Sequence, residues 1–132
     1  MSEDLRTRCW FRIRAVQPDP ASITELLNLQ PTTAWRAGER PPHGGLVSAT
    51  AVWEIESPIV NSVHLEDMAT AVLDLLPAVL PDLAAVHGWT TTLAYTVWMR
   101  RQTPGMLFRP GTLARLARLG ASLDIDTYLG TD

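Results

Sequence analysis

Apolar and polar residues alternate with a period of two in four parts of the chain, and each part is therefore predicted to form a β-strand. The four segments are residues 8–16, 46–57, 90–100 and 121–129. In the first, Cys9, Phe11 and Ile13 share the apolar side, whereas Trp10 and Arg12 share the polar side. The apolar sides of the others carry Val47, Ala49, Ala51, Trp53 and Ile55; Thr91, Leu93, Tyr95, Val97 and Met99; and Leu123 and Ile125.

Between the first two strands, residues 17–29 have the apolar spacing of a short helix. Either Asp19 or Ser22 is placed to accept hydrogen bonds from the free amides at its start. Pro31 restricts the residue before it, so we expect the helix to end by Leu29.

Two further helical segments follow, at residues 61–88 and 110–120. Pro77 and Pro81 are expected to divide the first of them into a long helix and a shorter one that ends at Gly88. Gly120 is expected to end the second. The long helix would bury Leu65, Met68, Ala69, Val72 and Leu76.

The fold predicted from these elements is an α+β two-layer sandwich, with a four-stranded, mostly antiparallel sheet and helices on one face. A ferredoxin-like variant fits the same description. A doubly wound parallel sheet would need strands that are apolar on both sides, and these strands are not. The length of 132 residues favours one domain covering 1–132.

The uncovered face of this sheet is the first candidate binding surface, because it combines indole rings with arginines and carboxylates. Its candidate contact residues are Trp10, Arg12, Trp98, Asp124, Asp126 and Tyr128. The favoured alternative is a solvated face on which arginines and aspartates pair across neighbouring strands, each pair contributing roughly 0.2–1 kcal/mol. A functional face would bind a partner protein or a flat ligand, or a second copy whose aspartates meet the arginines of the first.

The second candidate is the loop "LQPTTAWRAGERPPHGG", residues 29–45. In the favoured interpretation the loop is structural: Trp35 packs over the sheet edge or against the first helix, and Gly38 turns the chain with a positive φ. In the other, Arg36, Glu39 and Arg40 hold an anionic or polar ligand in a pocket between loop and sheet.

Charge and composition narrow the classes of partner. The net charge of −3 and pI near 5.5 provide no strong positive field, so we expect no nucleic-acid binding. All 11 basic residues are arginine, which excludes lysine Schiff-base chemistry. A single cysteine, Cys9, and the lack of any apolar run near 20 residues favour a reduced, cytoplasmic protein that does not enter a membrane.

The sequence offers little support for a catalytic or metal-binding site. The serine-hydrolase and dinucleotide-binding glycine motifs are missing from the sequence. His43, His64 and His87 lack the spacing of a four-ligand zinc site. Asp124 and Asp126 share one strand face, as an acid–base pair or cation site would require, but pairing with arginines explains them better. We therefore expect no catalytic residue, no metal and no cofactor.

Two motifs carry a resemblance to a known family. One is the loop with Pro31, Thr32, Trp35 and Gly38; the other is the ending with Leu119, Gly120, Leu123, Asp124, Ile125, Asp126 and Tyr128. In this order, over about Trp10 to Tyr128, the chain resembles the bacterial family catalogued as domain of unknown function 4279. The resemblance implies a compact α+β domain and no particular activity or cofactor. The chain departs from the family pattern in the extra segment 40–49 and in Arg109–Pro110, where a capping Ser or Thr is expected.

These observations favour a small cytoplasmic binding or interaction domain without catalytic machinery. It would regulate or neutralise another protein, as bacterial immunity proteins do. The alternative is a small-ligand sensor or an enzyme whose pocket is lined by the loop from Trp35 to Arg40.

Overall fold

The structure, a computed structural model, describes residues 4–15, 19–42, 44–78, 80, 82–83 and 88–130. His43 and His87, and most of the shorter helix expected before Gly88, lie outside these residues. No helix within the described ranges is long and apolar enough to cross a membrane.

Strands and helices alternate along the described chain, and the predicted α+β class is confirmed. The elements are β1 (Leu5–Ala15), α1 (Pro20–Leu27), β2 (Thr33–Trp35), β3 (Ala51–Glu56), α2 (Leu65–Leu73), β4 (Thr90–Met99), α3 (Pro110–Leu119) and β5 (Ala121–Leu129). The sheet therefore has a fifth strand, β2, in addition to the four expected. With three residues, β2 is too short for an alternating pattern to reveal it.

The strands lie in the order β2-β3-β1-β4-β5, with β1 in the centre. All neighbours are antiparallel except β4 and β5, which are parallel. This difference follows from the connection, because a crossover through α3 returns the chain to the same end of the sheet. The sheet is thus mixed, although most of its pairings are antiparallel as predicted.

One face of the sheet and the three helices enclose the hydrophobic core. The inward residues of β1, β3 and β4 agree with the predicted alternation, and Phe11, Trp53 and Leu93 are fully buried. Two polar groups in this core are satisfied internally. The indole Nε1 of Trp53 donates to Thr24 Oγ1 at 3.1 Å, and the Tyr95 hydroxyl donates to the carbonyl of Leu65 at 2.6 Å.

The second predicted strand was too long at its start. Residues 46–50 are not part of β3, and Val47, expected on the apolar face, is 56% exposed. β3 begins at Ala51, whose partner Ala15 is the last residue in the register of β1, and the backbone before Ala51 follows the loop. Ser48 pairs instead within its own loop, accepting from Gly38 N at 2.8 Å.

β5 has the predicted boundaries but is buried less than expected. Ile125 is half-buried against the core, whereas Leu123, also expected to face inward, is 39% exposed. Leu129 at the strand's end is 81% exposed. β5 lies at the edge of the sheet, where helix cover is incomplete.

The helix ends follow the sequence signals. Asp19 caps α1 by accepting from Ala21 N at 2.9 Å, and Gly120 ends α3 with φ of 67°. Arg109, at the start of α3, makes no side-chain cap. The carboxylate of Glu66 in α2 accepts a hydrogen bond from Arg109 N, which anchors the start of α3 to α2.

We predict that Gly120→Ala lowers the free energy of unfolding. A left-handed conformation costs an L-residue roughly 1–2 kcal/mol, and the added Cβ would also collide with the carboxylate of Asp82. Urea denaturation measures the change. Gly111→Ala in the same helix is the control, because no atom lies within 4 Å of its added Cβ. Equal stability of the two variants would contradict the prediction.

Candidate functional site

The face of the sheet opposite the helices, called here the outer face, carries side chains in rows that cross β1, β4 and β5. Strand register defines these rows, because paired residues point to the same side of a sheet. From one end they are Arg6, Trp98 and Tyr128; Arg8, Thr96 and Asp126; Trp10, Ala94 and Asp124; and Arg12, Thr92 and Ser122.

The first row, Arg6, Trp98 and Tyr128, forms a continuous stack that we call the aromatic row. The rings of Trp98 and Tyr128 stack with centroids 5.9 Å apart and planes inclined by 21°. The guanidinium carbon of Arg6 lies 5.5 Å from the centroid of the Trp98 ring, within the range of a cation–π contact. Trp98 remains 37% exposed and Tyr128 48% exposed, so two large rings are held in place and still face solvent.

The arginines further along β1 pair with glutamates of β3. Arg8 binds Glu56 through two hydrogen bonds, Nε to Oε2 at 2.6 Å and Nη2 to Oε1 at 2.9 Å. These bonds raise the pKa of Arg8. Arg12 Nε donates to Glu54 Oε2 at 2.8 Å. Arg8 also lies over the ring of Trp10, 4.9 Å from its centroid.

Asp124 and Asp126 do not pair with these arginines as expected. They face Ala94 and Thr96 of β4, which separates β5 from β1. Two strand spacings of about 4.8 Å keep their backbones roughly 10 Å from those of the arginines. In the part of the chain that the structure describes, neither aspartate forms an ion pair. The pair therefore remains an exposed acidic strip along the edge strand.

An open cleft of about 460 Å³ lies beside the aromatic row. We call it the Arg6 cleft; it is lined by Arg6, Arg8, Glu56, Val60, Asn61, Thr96 and Trp98. Glu56 is occupied by Arg8, and no carboxylate among the described residues pairs with Arg6. The cleft thus keeps one uncompensated positive charge next to an indole ring.

The outer wall of the Arg6 cleft is the segment that follows β3. Its backbone continues along β1, with Ser57 N donating to Cys9 O and Asn61 N to Thr7 O, both at 2.7 Å. Thr7 N in turn donates to Asn61 Oδ1 at 3.2 Å. These bonds hold Val60, 50% exposed, at the edge of the cleft as an apolar contact surface.

A second open cleft, of about 340 Å³, lies where the end of α2 meets α3. Leucines, Pro77 and Ala78 form most of its lining, together with Arg115 and Arg118. Arg115 already pairs with Asp74, with Nη1 and Oδ1 2.8 Å apart. Among the residues that the structure describes, none of those lining this cleft is aromatic, whereas the Arg6 cleft combines charge with an exposed aromatic ring.

The loop residue Trp35 lies on the sheet edge, one of the two positions expected for it. Trp35 is the last residue of β2 and pairs with Val52, which pairs with Arg14 on the outer face. Trp35 is only 8% exposed and Val52 is fully buried, so this corner of the outer face is closed to solvent. A buried Trp35 supports the structural interpretation of the loop.

The charged groups of the loop are largely used within the chain. Arg36 Nε lies 2.8 Å from Asp19 Oδ2, which ties the loop to the start of α1. Glu39 Oε1 accepts from Arg36 N at 2.9 Å, and Gly38 adopts the expected positive φ of 87°. Arg40 is exposed. Neither of the two clefts described above is lined by the loop from Trp35 to Arg40.

Sequence reasoning named Trp98 and Tyr128 as contact residues but missed Arg6, Val60 and Asn61. Arg6 was missed because the first strand was started at Arg8, although the alternation of Leu5 and Thr7 with arginines begins earlier. Val60 and Asn61 belong to an irregular segment, and no periodic signal identifies such residues.

The structure also places Cys9 and His64, the two remaining candidates for thiol and metal chemistry among the described residues. Cys9 is fully buried in the core, and burial raises the pKa of its thiol to about 12. His64 precedes α2 and makes no side-chain cap there. Within the described ranges, no group of three His, Cys, Asp or Glu side chains is arranged to hold a metal ion.

Comparison with known proteins gives one match. The family model described as Domain of unknown function (DUF4279) matches residues 5–130, which confirms the resemblance stated from the sequence. The searches of curated proteins and of solved structures found no match.

We predict that Trp35→Ala lowers the free energy of unfolding by about 3–5 kcal/mol, the usual cost of removing a buried large aromatic side chain. Chemical denaturation measures the effect. Arg40→Ala, on the exposed part of the same loop, should leave stability unchanged within about 0.5 kcal/mol. If Trp35→Ala were as stable as the wild type, the structural interpretation of the loop would be wrong.

Proposed function

We propose that this chain, which belongs to the family described as Domain of unknown function (DUF4279), is a non-catalytic domain that binds a partner protein through its outer face. It would act in the bacterial cytoplasm by covering a surface of that protein, as regulatory and immunity-type proteins do. The observation that carries the proposal is the aromatic row, in which two stacked rings and an arginine stay exposed in a fixed arrangement.

The residue types of the aromatic row are those that contribute most to protein interfaces. Trp, Tyr and Arg are enriched among residues whose truncation weakens binding most. Because Trp98 already contacts both Arg6 and Tyr128, little side-chain freedom remains to be lost when a partner binds. The row therefore supports binding better than three isolated exposed side chains would.

Charges around the aromatic row would orient a partner. The acidic strip of Asp124 and Asp126 lies on one side, and the positively charged Arg6 cleft lies on the other. Complementary charges mainly determine which partner binds, in which orientation and how fast. This arrangement favours a partner that presents opposite charges at the same separation.

The alternative sensor or enzyme function at the Trp35 loop has less support. Arg36 and Glu39, two of the three charged groups it requires, already bind other groups of the chain. Trp35 is buried and so offers a ligand little of its ring.

A second copy of the chain is a second candidate partner, favoured by the charge pattern of the outer face. A two-fold axis parallel to the strands and above β4 would place β1 of each copy opposite β5 of the other. Arg8 would then face Asp126 of the second copy, in the same row of the register. This arrangement would also bring the two Trp98 rings together.

We predict that Trp98→Ala abolishes capture of the partner protein. Tagged chains are crosslinked in cells of the source bacterium, and a stoichiometric partner retained by the wild type is identified and quantified. Arg40→Ala changes an exposed residue that belongs neither to the aromatic row nor to the Arg6 cleft, so it should retain the same partner; circular dichroism checks that both variants fold. Equal capture by Trp98→Ala and wild type would refute binding through the aromatic row.

Self-association has a separate expected result. If the second copy is the partner, sedimentation equilibrium should show dimers, and Asp126→Arg should weaken them at least about tenfold, because like charges would then face each other. Glu25→Arg on α1 makes the same charge change on an exposed residue outside the outer face and should have no effect. A wild-type chain that stays monomeric at high concentration would eliminate this candidate.

A further inference from the structure

We infer that the Arg6 cleft binds one carboxylate attached to an aromatic group, and that Arg6 holds the carboxylate. The inference rests on the proposed function in that it identifies the group bound at the outer face. The carboxylate would come from an aromatic residue at the C-terminus of the partner protein or from a small free acid. Both sources share the same chemistry, and the experiment below separates them.

The charges that line the cleft favour a ligand with a single negative charge. Arg8 and Glu56 form a two-bond ion pair and neutralise each other, which leaves the positive charge of Arg6. A carboxylate matches that one charge. A doubly charged phosphate ester would leave one negative charge uncompensated, because Arg8 is already paired with Glu56.

Arg6 keeps its hydrogen-bonding edge for a ligand. Its guanidinium carbon lies over the ring of Trp98, and in the part of the chain that the structure describes no hydrogen bond or ion pair engages its N–H groups. Two of those N–H groups match the two oxygens of a carboxylate. Thr96, half-buried in the cleft lining, adds a hydroxyl group as a further donor.

Apolar surface next to Arg6 would contact the aromatic part of the ligand. Val60 and the exposed part of Trp98 line the same cleft and are held by the segment after β3 and by Tyr128. An aromatic ring between them would contact both the Val60 side chain and the indole, and paired aromatic rings attract each other. The cleft volume of about 460 Å³ is within the range of small-ligand sites.

The experiment is an NMR titration of the isotope-labelled full chain with two pairs of probes. The first pair is 3-phenylpropanoate and its neutral amide. The second is acetyl-Gly-Gly-Phe with a free carboxyl terminus and the same peptide as its amide. We expect a carboxylate probe to shift the signals of Arg6, Thr96 and Trp98, including the Trp98 indole N–H, and its amide to bind at least about tenfold more weakly.

Variants of Arg6 test its role. Arg6→Gln should weaken carboxylate binding at least about tenfold, and Arg6→Lys should restore part of it by restoring charge without the planar fork. Arg40→Gln makes the same change on the exposed loop and should bind as the wild type does. Phenyl phosphate, as a dianion, should bind more weakly than 3-phenylpropanoate.

Each outcome supports or overturns the inference. Binding of the free acid alone supports a small-molecule source, and binding of the peptide acid alone supports the C-terminal aromatic residue of a partner protein. Equal binding of acids and amides, unchanged binding by Arg6→Gln, or no binding up to millimolar concentrations overturns it. If no probe shows carboxylate-dependent binding while partner capture still depends on Trp98, the inference about the Arg6 cleft is wrong and the proposed function is retained. If carboxylate binding is found but partner capture does not depend on Trp98, the proposed function fails instead.

Discussion

The two-sided pairing of β1 is the constraint on which the rest of the structure depends. β1 is the central strand, antiparallel to both β3 and β4, and its alternate residues enter the core or the outer face. A shift of the register by one residue would move Phe11 and Ile13 to solvent and the arginines into the core. Burial of the apolar side therefore also sets the positions of Arg6, Arg8 and Arg12.

The candidate site is a consequence of that register. Because Arg6 pairs with Trp98 and Trp98 with Tyr128, three residues far apart in sequence become one row. The same register brings Arg8 and Thr96 together in the lining of the Arg6 cleft. The chemistry of the outer face thus depends on backbone pairing that the core stabilises.

The two edges of the sheet have different roles. The short strand β2 ends in Trp35, which is buried at its corner, and Arg36 anchors the following loop to α1. β5 at the other edge is long and exposed, and it carries Asp124 and Asp126. Charged residues on an edge strand oppose pairing with another such strand. The outer face is consequently closed at the Trp35 corner and open around Tyr128.

The sequence by itself determined which residues share a face, because alternation and capping are local properties. It placed Trp98 and Tyr128 on the outer face, offered Asp19 or Ser22 as the cap of α1, identified Gly120 at the end of α3, and indicated the family. Only the tertiary structure decided which strands are neighbours. The crossover through α3 places β5 beside β4, so Asp124 lies away from the arginines of β1. Strand pairing joins segments distant in sequence, and the local pattern of one strand does not identify the strand with which it pairs.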